Sequence, residues 1–256
     1  MKIATWNVNS LKVRLPQVLD WLNLSNCDVL TLQELKLENA NFPESVFTNL
    51  GYHCAFNGQK TYNGVAIISR YPLSDVVYDI PEYTDLQKRV ISATANGIRI
   101  ICVYVVNGES VGSEKYTYKL TWLNQLHGFV RNSLKQFPKL VILGDFNIAP
   151  SDIDVHDPAA WYEQVLCSTP ERAAWQELVN LGLHDSFRLF NQEAKHYTWW
   201  DYRNFAFRRK MGLRIDHILI SSALKPLVLN TEIDILPRKN ERPSDHAPVA
   251  LLLRED

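Results

Sequence analysis

The chain has 256 residues, 46% of them hydrophobic, enough for a sizeable buried core. Its 27 Lys and Arg nearly balance 28 Asp and Glu, so it is not a uniformly basic nucleic-acid binder. The four cysteines form no C-x-x-C pair, which argues against a zinc site and a disulfide framework.

Apolar, β-rich runs recur at 2–8, 28–32, 64–69, 90–95, 98–106, 139–143, 214–220 and 248–253. Most are continuous rather than alternating, as expected of strands covered on both faces. Between them, Leu15, Val18, Leu19 and Leu22 follow the i, i+3, i+4, i+7 spacing of one helix face. Leu120, Leu123, Leu126, Val130 and Leu134 form a second stripe. A third helix is predicted after Ser168, which with Glu171 makes a capping-box pair ahead of Ala174, Trp175 and Leu178. Strands interspersed with helices predict a layered α/β fold, with no linker dividing residues 1–256 into separate domains. The N-terminus has no signal-peptide core and no run is long enough to span a bilayer, so a soluble, cytoplasmic protein is expected.

The strand ends carry the chemistry. The first strand runs into Trp6-Asn7-Val8-Asn9, and the second ends Gln33-Glu34-Leu35-Lys36. Later strands bring Tyr104 with Asn107-Gly108-Glu109-Ser110, then Gly144-Asp145-Phe146-Asn147. Arg214-Ile215-Asp216-His217 opens another, and Ser244-Asp245-His246 precedes the last. A single Asn or Asp after a strand is more often a turn former. Asp216 is different: it interrupts an apolar run, and a buried charge needs a partner, which His246 can supply. Together these are the groups of metal-assisted phosphodiester hydrolysis. Glu34 and Asp245, with the Asn7 amide, suit a hard cation such as magnesium, or manganese. Asp145 and Asn147 can orient and deprotonate water. His246 and Tyr104 can offset negative charge on phosphate. Two local biases fit a polyanionic substrate: 203–214 holds five cations and no acid, and 145–157 holds four acids and no Lys or Arg. Trp199 offers a stacking face, and Trp200 is either a second such face or a core residue.

The ordered set Trp-Asn-Val-Asn (6–9), Leu-Gln-Glu-Leu-Lys (32–36), Gly-Gln-Lys (58–60), Asn-Gly-Glu-Ser (107–110), Gly-Asp-Phe-Asn-Ile-Ala-Pro (144–150), Asp-Tyr-Arg (201–203), Gly-Leu-Arg-Ile-Asp (212–216) and Arg-Pro-Ser-Asp-His-Ala-Pro (242–248) covers nearly the whole chain. It resembles the exodeoxyribonuclease III and apurinic endonuclease family of the endonuclease/exonuclease/phosphatase superfamily. The resemblance implies a four-layer sandwich, two packed mixed β-sheets between helices, with the site at one edge. It implies metal surroundings of Asn7, Glu34 and Asp245, a pairing of Asp216 with His246, and Tyr104 at the scissile phosphate. It matches Trp199, Leu213 and Ile215 to a small pocket for a base-less or 3′-terminal sugar, and Lys60, Tyr62 and Asn63 to a DNA-contacting loop. Asn107 faces the substrate on the same basis. The implied substrate is double-stranded DNA with 3′ ends or abasic sites, and the implied form a monomer. A phosphatase of the superfamily acting on inositol polyphosphates or sphingomyelin would share Asn7, Glu34, Asp145 and the Ser-Asp-His ending, but Asn-Gly-Glu-Ser and Gly-Leu-Arg-Ile-Asp count against it. Val105-Val106-Asn107 stands where many bacterial members have an aromatic, a Pro and a Gln. These smaller side chains, with Leu166 expected as an obstacle on the loop 154–169, favour 3′-end processing over internal incision.

Overall fold

The computed structural model describes residues 1–254. The first half supplies β1 (Lys2–Asn7), α1 (Leu11–Ser25), β2 (Val29–Gln33), α2 (Glu44–Thr48), β3 (His53–Asn57), β4 (Val65–Ser69), β5 (Leu73–Tyr78), β6 (Val90–Ala95) and β7 (Ile98–Tyr104). The second supplies α3 (Glu114–Gln136), β8 (Leu140–Asp145), α4 (Thr169–Asn180), β9 (Leu183–Asp185), β10 (Asp216–Ser221), β11 (Val228–Ile233) and β12 (Val249–Leu253). The strands form two six-stranded sheets, in the orders β11-β12-β1-β2-β4-β3 and β5-β6-β7-β8-β10-β9.

Each sheet has one parallel pair near its middle, β1 with β2 and β7 with β8. A parallel pair needs a crossover, and α1 and α3 provide the two. Ile3, Val29, Ile67, Ile91, Ile100, Val141, Ile218 and Leu251 pack between the sheets. Residues on the alternate faces meet the helices: Leu30, Leu32 and Ile68 pack with Val18 and Leu22 of α1. Ile101, Val103 and Ile142 pack with Trp122 and Leu126 of α3 and with Trp175 of α4. Burial on both faces is the physical reason the central strands read as continuous apolar runs. The result is the expected helix–sheet–sheet–helix sandwich. The Ser168–Glu171 capping box opens α4 as predicted. Among the described residues no helix is long and apolar enough to cross a membrane.

Register gathers the site at one edge. The parallel strands β1, β7 and β8 end there at Asn7, Tyr104 and Asp145, and β2 ends one residue before Glu34. Strand β10 runs antiparallel to β8 and begins there, with Asp216 opposite Asp145. Strand β12 runs antiparallel to β1, which puts the preceding Ser244-Asp245-His246 at the same end. Gly144 is required by packing: a Cβ would lie 1.9 Å from the Val103 carbonyl oxygen, and its φ is 147°.

Candidate active site

Asn7, Asp145, Asn147, Asp216 and His246 are buried, whereas Glu34 and Tyr104 are only partly so. Asn7 Nδ2 donates to Glu34 Oε1 at 3.0 Å and to Asp145 Oδ2 at 2.9 Å. Its Oδ1 accepts from the Asn9 amide, so the amide oxygen is already engaged. The Asn147 backbone N–H donates to Asp145 Oδ1 at 2.9 Å. The hydrogen bond between His246 Nδ1 and Asp216 Oδ2 is 2.8 Å long, and His246 Nε2 lies 3.7 Å from Asp145 Oδ2. Asp216, the charge inside an apolar run, thus has the imidazole as its partner. Ser244 explains the third member of its motif: its hydroxyl donates to the Asn7 carbonyl at 2.6 Å and accepts from the His246 amide, locking the loop onto β1.

Glu34 and Asn147 both have positive φ, 53° and 49°. Asn takes this left-handed backbone readily, whereas for Glu34 it is uncommon. Glu34 is steadied by Lys36 Nζ at 3.0 Å.

Electrostatics follow burial. Burial pushes the Asp145 carboxyl up to about 7, against the pull of the His246 cation and its hydrogen bonds from Asn7 and Asn147. Burial alone would lower His246, but Asp216 and then Asp145 outweigh it and raise the imidazole to about 10. Burial and the Glu34 carboxylate raise the Tyr104 phenol well above its ordinary value, so it stays a hydrogen-bond donor. Arg89 stacks on that ring, 4.7 Å from its centroid.

Ligand atoms of Glu34, Asp145 and His246 all lie within 4.8 Å of one another. The donor set suits a hard divalent cation: carboxylate oxygens dominate, and Asp216 Oδ1 is buried without a hydrogen-bond partner, so acceptors exceed donors. An imidazole held protonated by Asp216 would not join the ligands. Asp245 lies outside this group; Trp199 Nε1 holds one of its oxygens and Asn9 Nδ2 the other.

The expected substrate contacts divide. Trp199 is partly exposed, but Leu213 and Ile215 are fully buried beneath it with Val155 and Leu166. Leu166 is therefore not an obstacle; the exposed bulk on that loop is Tyr162. Trp200 is a core residue, packed with Tyr197 and Ala247. Lys60 and Tyr62 are exposed, while Asn63 is buried and donates to Gln59 and Gln87. Asn107 is exposed, yet its amide donates to Asn147 Oδ1 at 3.2 Å. The acids of 145–157 do not form a cluster either. Asp154 binds Arg214 and Arg188, which bring its carboxyl down to about 2 despite burial, and Asp152 pairs with Arg172.

Sequence reasoning missed Lys119. It and Glu171 form an ion pair with no exposed side-chain surface. Lys119 Nζ also donates to the carbonyls of Asn107 at 3.0 Å and Asn147 at 2.7 Å, tying the two loops that flank Asp145. Its only sequence signal is a lysine amid a helix's apolar stripe. Removing one partner of a buried pair leaves an uncompensated charge, which costs about 3–5 kcal/mol. Lys119→Met is expected to lose that much in denaturant unfolding; a loss below about 1 kcal/mol would show the pair contributes little.

The description of the Endonuclease/Exonuclease/phosphatase family matches residues 4–246. The chain is 36% identical to exodeoxyribonuclease III of Haemophilus influenzae over 97% of this chain and 98% of that protein. It superposes at a TM-score of 0.98 on a 3′ phosphatase from Neisseria bound to a product DNA hairpin, with 50% identity and both chains covered in full. For an AP endonuclease from Archaeoglobus fulgidus the TM-score is 0.95 and the identity 38%, over 99% of each chain. With its carboxylates, amides and imidazole gathered at one sheet edge, the chain belongs to the exodeoxyribonuclease III and apurinic endonuclease branch of that family and is a phosphodiester-hydrolysing nuclease.

Proposed function

We propose that the protein is a magnesium-dependent DNA-repair enzyme that works mainly from the 3′ ends of double-stranded DNA, as exonuclease and 3′-phosphodiesterase, with weaker incision at internal abasic sites. The observation that carries this reading is the meeting of Glu34, Asp145 and His246 within 4.8 Å at the sheet edge. Glu34 would hold the magnesium ion, with Asn7 and Asp245 beside it. When bound, the ion would neutralise charge on the phosphate oxygens. Asp145, oriented by the Asn147 amide, accepts the proton of the attacking water. The His246 imidazolium and the Tyr104 hydroxyl donate to phosphate oxygens as negative charge develops. Asp216 keeps the imidazole charged and fixes which nitrogen faces the substrate.

The preference for 3′ ends rests on access. An internal nucleotide must be extruded from the duplex, which costs a few kcal/mol, and wedging side chains offset that cost. Here Asn107 is drawn back onto Asn147 and Val106 is buried, and the bulk that could obstruct a continuing strand on the loop 154–169 is Tyr162 in place of Leu166. The identity to the Neisseria 3′ phosphatase, 50%, exceeds the 38% to the Archaeoglobus AP endonuclease. The test uses chelator-treated protein, restored with magnesium, on end-labelled duplexes carrying a blunt 3′ end, a 3′ phosphate or an internal abasic analogue. End processing should be at least about tenfold faster than incision, the equivalent of about 1.4 kcal/mol. Faster incision would reverse the preference, and full activity without any divalent ion would remove the metal from the reading.

A further inference from the structure

The segment after the Trp199–Trp200 pair has a second face. Trp199 turns its indole to Asp245 on the catalytic side. Trp200 turns the other way, into a packing with Tyr197 and Phe207, as successive residues of an extended segment do. Behind this segment lies a hollow of about 770 Å³ whose accessible apolar wall is the half-buried Phe207, Met211 and Ile233 with the exposed Ile235, while buried Trp200 backs Phe207. Its rim is cationic: Lys195, Arg208, Arg209 and Lys210 line it, with His156 and His196, and no carboxylate does. Among the described residues no salt bridge engages those four cations. None of the groups assigned to the phosphate chemistry lines the hollow.

We infer that this hollow is a second nucleotide-binding site, which takes a base against its apolar wall and a phosphate on its cationic rim. An aromatic and apolar wall accepts any base face, and unpaired Arg and Lys accept phosphate without regard to sequence. Fixed positive charge with no internal counter-charge favours a polyanion over a neutral ligand. The occupant is either unpaired DNA leaving the catalytic edge or the released 5′-mononucleotide; both carry the same chemistry. The inference rests on the reading that DNA is the substrate, but its readout is binding without cleavage.

The experiment measures anisotropy of a short fluorescent oligothymidylate in EDTA across a salt series. It compares the wild type with Lys195→Ala/Arg209→Ala/Lys210→Ala, three exposed positions whose substitution leaves the core intact. Affinity should fall about tenfold or more, and the slope of log K against log salt should become shallower by roughly 0.7 for each phosphate no longer neutralised. Phe207→Ala should weaken binding without changing that slope. Competition by thymidine 5′-monophosphate assigns the hollow to the product, and failure to compete assigns it to the strand. Unchanged affinity and slope in the triple variant overturn the inference, as does rim-dependent binding of an acidic peptide but not of the oligonucleotide. If the inference fails while the protein with magnesium still degrades a blunt duplex, the functional reading stands. Protein that neither binds nor cuts any DNA refutes both.

Discussion

Asp145→Asn is expected to lower kcat on a DNA 3′ end by about 10²–10⁴-fold, the range for losing a positioned general base, while leaving DNA affinity equal or higher. Asp145 sits where three demands meet: the Asn147 amide and the Asn7 side chain donate to its two oxygens, and His246 stands 3.7 Å away. The substitution keeps the shape but removes the proton acceptor, and it also removes a negative charge that repels phosphate. Its effect on stability should have the opposite sign. Because burial lifts the Asp145 carboxyl to about 7, the ionised form is disfavoured in the fold relative to the unfolded chain. That penalty is absent at low pH, appears above the ordinary carboxylate value near 3.8, and is complete above about 7. The metal-free variant should therefore melt higher than the wild type at alkaline pH, with the gap closing as pH falls. A gain in stability at the expense of turnover is expected of a general base whose charged form is disfavoured by burial. The decisive readings are single-turnover cleavage and thermal melts over pH. A kcat within about tenfold of wild type would remove Asp145 from the proton transfer.

Legibility from the residues follows a physical line. The eight strands legible in the sequence are the eight interior strands of the two sheets, and the four that were not, β3, β5, β9 and β11, are the four edges. Interior strands are covered on both sides and read as apolar runs. Strand β5 alternates irregularly because much of it faces solvent, and β9 is only three residues long. At the site, Asp216 was legible because a charge in a buried strand must have a partner nearby. The positive φ of Glu34 and Asn147 was not, since a left-handed backbone at such residues depends on what surrounds the turn. Lys119 was obscured by its place in a helix: only the fold brings Glu171 and two loop carbonyls around its ammonium group. Leu166 was misjudged as an exposed obstacle, and the sequence left Trp200 open between a stacking face and the core. The folding of 154–169 and 200–213 onto the site covers both, and no periodicity announces long-range packing of loops.

Losses of log rate from Asp216→Asn and His246→Gln are expected not to add. The two side chains share a 2.8 Å hydrogen bond in a buried setting, and Asp216 is the leading influence opposing burial in keeping the imidazole charged. On the proposed mechanism either substitution removes the same thing, an imidazolium that would face the phosphate. Each single variant should therefore lose about 10²–10⁴-fold in kcat, and the double should be close to the worse single. The pH profile separates this from simple structural damage. In the wild type His246 remains protonated until pH rises through about 10, so the alkaline limb lies high. Without the Asp216 carboxylate the imidazole falls toward, or by burial below, its ordinary value near 6.5, and the limb should move to lower pH. The stability linkage has the same sign: a histidine raised in the fold contributes stability that is fully present below about 6.5 and lost as pH rises through about 10. Asp216→Asn should therefore destabilise most at neutral and acid pH. A thermodynamic cycle of the three variants, with rates followed between roughly pH 6 and 10, decides the matter. Additive losses, or an alkaline limb that stays in place in Asp216→Asn, would mean that the two residues act separately.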